Sequence, residues 1–283
     1  MDYKIENNII SATISDLGAE PQSIRKTDGE ELLHQGTGGV YNSKSPVLFP
    51  LIGAFCDGLY VFGQKKYSMP CHGFASDTVF NAVQTDSKSV IFTTCSNSHT
   101  ENIYPFSFRF SVGYSLAGDT LITEYITENT GKNILYCSVG SHTGYRLNGN
   151  LEDYAIRFQK YEHKNKYSVI GNDTAVNQNK LMDGNLLSLN SYMFSKGAQT
   201  FSGLCSEYVI LEDKNGKGIV KVSLEDFKYL TLWSVPGQKY ICIEPWSCES
   251  THYAATNELT EQKDITVVMP GEKNIMKYKI QVL

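Results

Sequence analysis

The chain has 283 residues, 41% hydrophobic and 19% charged, with a net charge of −5. That composition supplies a substantial core and too little charge for a disordered chain, and the lack of a dense Lys/Arg cluster argues against a grip on nucleic-acid phosphates. No apolar run is long enough to span a bilayer, and "MDYKIENNII" has no basic segment leading into an apolar one, so a non-exported protein without a membrane partner is expected.

In chain order, "VFGQKKY" (Val61 to Tyr67) reads as a turn between two short extended pieces, and "MPCHGFAS" (Met69 to Ser76) as a constrained loop carrying His72. "FSFRFSV" puts Phe106, Phe108, Phe110 and Val112 on one face of a half-buried strand, and "AGDT" turns the chain back. The apolar strand "NILYCSVG" leads into "SHTGYR", where glycines flank His142 and let backbone or ligand come close. "KNGKG" turns into "IVKVSL", and "MKYKIQV" alternates Met276, Tyr278, Ile280 and Val282. Helical periodicity is weak, with short pieces near "STHYAATNEL" and around Leu181. Hairpin follows hairpin without a linker or repeat, which predicts an all-β, antiparallel β-sandwich with few short helices and a single domain over 1–283.

The stretch "KYICIEPWSCES" (Lys239 to Ser250) raises the question of chemistry. Alternation directs Ile241 and Ile243 to one face and Cys242 and Glu244 to the other, with Trp246 on the side of Glu244 if the strand persists. Pro245 has no N–H, so Glu244 is expected to be the last paired residue of its strand. Trp233 is weighed toward the core.

Of six histidines, His34, His99, His163 and His252 stand in polar neighbourhoods that suggest the surface, whereas His72 and His142 stand at strand ends. With Glu244 they make an acid, a base and a hydrogen-bond donor, because imidazole and carboxylate titrate on either side of mildly acidic pH. The seven cysteines (Cys56, Cys71, Cys95, Cys137, Cys205, Cys242 and Cys248) contain no C-x-x-C pair and are odd in number. Reduced thiols in a cytoplasmic protein, with no structural zinc, are the expectation.

"SPVLFPLIG" (Ser45 to Gly53), "CHGFAS" (Cys71 to Ser76), "VGSHTGY" (Val139 to Tyr145) and "YLTLWSVPGQKYICIEPW" (Tyr229 to Trp246) occur in the order seen in aldose 1-epimerases. Over essentially its whole length the chain resembles these galactose mutarotase-like proteins, and within them the LacX-type branch. The resemblance implies a β-sandwich of the galactose mutarotase type (a supersandwich) with an open sugar cleft, interconverting α and β anomers of a free aldose without metal or organic cofactor. It implies that Glu244 takes the proton of the C1 hydroxyl, that His142 protonates the ring oxygen, and that His72 hydrogen-bonds the sugar beside it. Trp246 would offer an apolar face to the sugar, in a monomer or homodimer.

The chain departs from the pattern at Ala54 and Ser76, where arginines are usual, and in "HTGY" where "HPxF" is usual. Losing guanidinium donors weakens the case for a hexose-6-phosphate substrate. Arg146 could partly compensate by pointing back into the cleft, and Asp57 could bind a hydroxyl. Two rival readings stay open: a non-catalytic carbohydrate-binding or regulatory protein on the same fold, and a metalloenzyme holding its ion with His72, His142 and Glu244.

Overall fold

In a computed structural model, which describes residues 1–36, 41–163, 166–171, 182 and 184–283, alternating sequence becomes long antiparallel ladders. Phe108–Ala117 and Thr120–Asn129 pair without a slip from Ala117↔Thr120 to Phe108↔Asn129 around the Gly118 turn. They sit in a nine-stranded sheet ordered Gly184–Ser188, Tyr154–Glu162, Tyr208–Asp213, Gly218–Ser223, Lys273–Val282, Thr120–Asn129, Phe108–Ala117, Ser89–Cys95 and Asn81–Asp86. One face of this sheet is packed: Phe108, Phe110, Val112, Leu121, Tyr125, Tyr278 and Ile280 are all buried.

The second large sheet runs Ser168–Gly171, Gln199–Ser202, Tyr229–Trp233, Tyr240–Trp246, Gly140–Ser141 and Val47–Leu48, with Thr143–Arg146 also paired to Tyr240–Trp246. Leu230, Leu232, Ile241 and Ile243 join the buried apolar cluster that takes in the nine-stranded sheet, and a Phe49–Phe110 ring stack with centroids 3.9 Å apart lies within it. Burying one such aliphatic or aromatic side chain is worth about 1.5–3 kcal/mol, so this shared face holds the two sheets together. The fold is galactose mutarotase-like, mostly antiparallel sheet with little helix, as the alternation predicts.

Three local expectations change. The strand of Glu244 continues through Pro245 and Trp246, which pair with Leu230 and Tyr229. The Pro245 carbonyl oxygen lies 3.0 Å from where a Cβ on Gly140 would stand. Its backbone polar groups therefore face the side on which His142 interrupts the pairing, and the missing N–H falls in that gap. The α-helix Ser98–Ile103 was not foreseen; Asn97 caps it by accepting from His99 N and Thr100 N, in a capping box with Thr100. "STHYAATNEL" contains only the 3-10 turns Thr251–Tyr253 and the start of Leu259–Glu261, and Leu181 lies outside the described residues.

Candidate active site

The register of the second sheet builds the site. Thr200 pairs with Thr231, and Thr231 with Glu244. On the far side of the Tyr240–Trp246 strand, Thr143 pairs with Ile243 and Gly140 with Trp246, so His142 stands opposite Glu244 in the same register. One row of side chains thus crosses the sheet on the face away from the core: Thr200, Thr231 and Glu244 from three strands, and His142 from the break between Gly140–Ser141 and Thr143–Arg146. The row beside it reads Trp233, Cys242 and Gly144.

Thr200, Thr231, Glu244, His142 and Trp233 line a cleft of about 320 Å³ with Gly53, Ala54, Cys71, His72, Ala198, Trp246, Ser250, His252 and Tyr253. That volume lies at the small end of the range for small-molecule sites. Among the described residues lining it, Glu244 is the single carboxylic acid, and Lys, Arg and Asp are absent.

The Glu244 side chain is 1% exposed, and among the described residues neither carboxylate oxygen has a hydrogen-bond partner. Burial pushes its carboxyl well above the ordinary carboxylate range, opposed by the nearby Trp246 indole N–H, which makes no hydrogen bond of ordinary geometry. His142 Nε2 lies 3.5 Å from Glu244 Oε2. Burial, with His72 adding to it, lowers the His142 imidazole to about 3. Beneath the strand, hydroxyl contacts Ser45–Thr143 (2.7 Å) and Thr143–Ser141 (2.6 Å) fasten both neighbours of His142.

His72 sits in the left-handed region at φ 65°, in a turn as expected. Its own N–H donates to the Gly53 carbonyl (2.8 Å), and the Gly53 N–H donates to His72 Nδ1 (3.2 Å). A backbone N–H can only donate, so Nδ1 is the acceptor and the neutral ring carries its proton on Nε2. Burial lowers this imidazole to about 4, which keeps that tautomer neutral at ordinary pH. The ring meets His142 edge-on at 5.6 Å and Trp246 at 5.8 Å.

Four expected residues, Glu244, His142, His72 and Trp246, therefore meet in one cleft. Asp57 and Arg146 do not. Asp57 is exposed in the turn Cys56–Gly58, outside the lining. Arg146 shares the sheet face of His142, but Tyr41, His34 and Tyr240 are piled between them. It borders a separate pocket with Gln35, Asn148 and Lys239. Of the two positions lacking arginine, Ala54 lines the cleft, whereas the Ser76 backbone packs where a Cβ on Gly18 would stand.

Trp233 is half-buried at the cleft rather than in the core, His34 is buried, and His252 reaches the cleft wall. Thr200 and Thr231, whose hydroxyls are 2.8 Å apart, carry no motif that would have singled them out. Among the described residues, the group able to hold a metal is also not the expected one. It is His142, Cys242 and Glu244, with ligand atoms within 4.8 Å of one another; Cys242 takes the place foreseen for His72. Burial keeps the Cys242 thiol protonated well beyond its ordinary range.

The model of the family described as aldose 1-epimerase matches residues 1–281. Protein LacX of Lactococcus lactis subsp. lactis, in its plasmid form, is 27% identical, with all of both chains covered. Among solved structures, a galactose mutarotase related enzyme from Lactobacillus acidophilus superposes with a TM-score of 0.89 at 27% identity, covering 100% of this chain and 97% of that one. A galactose mutarotase-like protein from Lactobacillus casei superposes at 0.91 and 24% identity, with both chains covered in full.

Proposed function

Because this chain belongs to the aldose 1-epimerase family, we propose that it interconverts the α and β anomers of a neutral free aldose such as galactose or glucose. Once the proton that the pair shares has passed from Glu244 to His142, the Glu244 carboxylate removes the proton of the C1 hydroxyl while the His142 imidazolium delivers its Nε2 proton to the ring oxygen. The bond from C1 to the ring oxygen breaks, leaving an aldehyde and a free hydroxyl. After C1 turns about its bond to C2, the hydroxyl attacks the opposite carbonyl face, with the two proton transfers reversed. His72 donates from Nε2 to the sugar beside the ring oxygen, and Trp233 and Trp246 provide apolar surface for its C–H face.

The observation that carries this reading is the approach of His142 Nε2 to Glu244 Oε2 at 3.5 Å in a cleft where, among the described residues, neither carboxylate oxygen has a hydrogen-bond partner. A buried carboxyl without partners is costly unless a ligand hydroxyl meets it. Two such groups held by paired strands can supply the roughly 10²- to 10⁴-fold typical of general acid–base catalysis, enough for a reaction that already runs in water. The neutral lining favours an uncharged sugar over a phosphorylated one.

The test is polarimetry of freshly dissolved α-D-glucose and α-D-galactose with wild type and Glu244→Gln. Acceleration by wild type that disappears in the variant is the expected outcome. Sugar binding by folded wild type without any acceleration would transfer the assignment to a carbohydrate-binding protein.

A further inference from the structure

A residue that belongs to none of the motifs, Tyr41, reaches the far side of His142. The Tyr41 hydroxyl lies 2.6 Å from the His142 backbone oxygen and 3.2 Å from His142 Nδ1. A phenol has one proton to give, and the shorter contact is to a carbonyl, which can only accept. With its proton committed there, the Tyr41 oxygen meets Nδ1 as an acceptor. Nδ1 must then carry a hydrogen, and Nε2 is left as the nitrogen that gains and loses a proton on the Glu244 side.

The phenol ring is held on several sides. It stacks on His142 with centroids 5.2 Å apart, meets Trp233 edge-on at 5.5 Å and lies against Tyr240 at 5.5 Å. Its backbone oxygen accepts from His34 Nε2 at 3.1 Å. Beneath it, Gly144 leaves the sheet bare: a Cβ there would stand 3.1 Å from Tyr41 Cε1 and 3.4 Å from His34 Cβ. A larger residue at 144 would push the ring off the strand.

We infer that Tyr41 is a positioning residue that fixes the tautomer of His142, keeping its exchangeable proton at Nε2 between Glu244 and the substrate. The inference rests on the mutarotase reading for its role in turnover, though not for the tautomer itself. An acid at the ring oxygen must be the imidazolium, because a neutral imidazole N–H gives up its proton too reluctantly. The imidazolium has two N–H groups, and Tyr41 accepts the inner one in both protonation states. His142 can therefore gain a proton at Nε2, pass it to the ring oxygen and recover it without turning its ring. With phenylalanine at 41, Nδ1–H keeps only the poorly aligned carbonyl of its own residue as an acceptor, which favours the opposite tautomer and disfavours the imidazolium.

The test combines spectroscopy with kinetics. Two-bond ¹H–¹⁵N correlation spectra of ¹⁵N-histidine-labelled wild type, near neutral pH and without sugar, report which ring nitrogen of His142 is protonated. Expected is a protonated Nδ1 and a bare Nε2, and reversal of that pattern in Tyr41→Phe. The variant, which keeps the stacked ring, should lose about 10- to 100-fold in kcat, the worth of a hydrogen bond to a charged group, with KM within about twofold. A bare Nδ1 in wild type overturns the inference without recourse to any variant, as does an unchanged tautomer and kcat in Tyr41→Phe. A protonated Nδ1 in a protein that accelerates no sugar would uphold the tautomer while removing the mutarotase reading, so the two can fail separately.

Discussion

Replacing Glu244 by glutamine should make the protein more stable as it makes it inactive. The carboxyl is fully buried, its oxygens have no hydrogen-bond partner among the described residues, and burial raises it well above its ordinary value of 4.5. In the unfolded chain it ionises near that ordinary value. Between there and its raised folded value, the native state holds a proton that the unfolded state has released. Stability contributed by this group is thus complete below the unfolded value and is lost as pH rises toward the folded one, with a slope of about 1.4 kcal/mol per pH unit. Glutamine keeps the shape, cannot ionise, and can donate its amide N–H to His142 Nε2. Glu244→Gln should match wild type near or below pH 4.5 apart from a constant offset, then gain on it by about 1.4 kcal/mol, roughly 3 °C in Tm, for each pH unit until the folded carboxyl ionises. Calorimetric melts of both proteins from pH 4.5 to pH 8 measure this difference directly. A difference that does not grow with pH, or a variant that loses ground as pH rises, would refute the claim that this carboxyl is held protonated by its burial.

The proposed reaction needs one proton shared by Glu244 and His142, so its pH profile should be a plateau. It should fall on the acid side only as His142 takes up a second proton, near 3, and on the alkaline side as the raised Glu244 carboxyl ionises. After subtraction of the uncatalysed rate, an acid limb of kcat/KM near pH 6.5 would mean that His142 titrates as an ordinary imidazole and would sink this account. Trp233, partly exposed at the cleft, should report sugar by a change in its fluorescence. Trp233→Ala should raise KM about 5- to 20-fold with kcat little changed, since about 1–2 kcal/mol of apolar contact is lost; an unchanged KM would remove Trp233 from the sugar site.

Strand parity was readable because it depends only on alternation: Ile241 and Ile243 face the core while Cys242 and Glu244 face the cleft, as expected. Where that strand ends was misread, because a proline can sit inside a sheet if its nitrogen faces a break in the neighbouring strand. Polar neighbours in sequence misled for His34, which the stacked Tyr41 and Tyr240 rings cover, whereas His252 is exposed as expected and also borders the cleft through the turn Thr251–Tyr253. Arg146 was the subtler miss, since it does share the face of His142, and only the intervening aromatic pile separates them. Tyr41 could not have been found by spacing: it meets His142 across 101 residues of chain, and nothing local distinguishes it from the other tyrosines.

The row takes Thr200, Thr231 and Glu244 from three different strands and His142 from the break between two more, and His72 comes from a turn far earlier in the chain. No single strand contains two members of this row. Contacts between sequence-distant strands form only after long loops have closed, so binding capacity should arrive with the complete topology. A sugar held by all of these groups has nothing to hold in a partly folded chain. It would add its binding free energy to the finished native state alone, acting as a selective stabiliser of mature protein and offering no help to the intermediates that precede it.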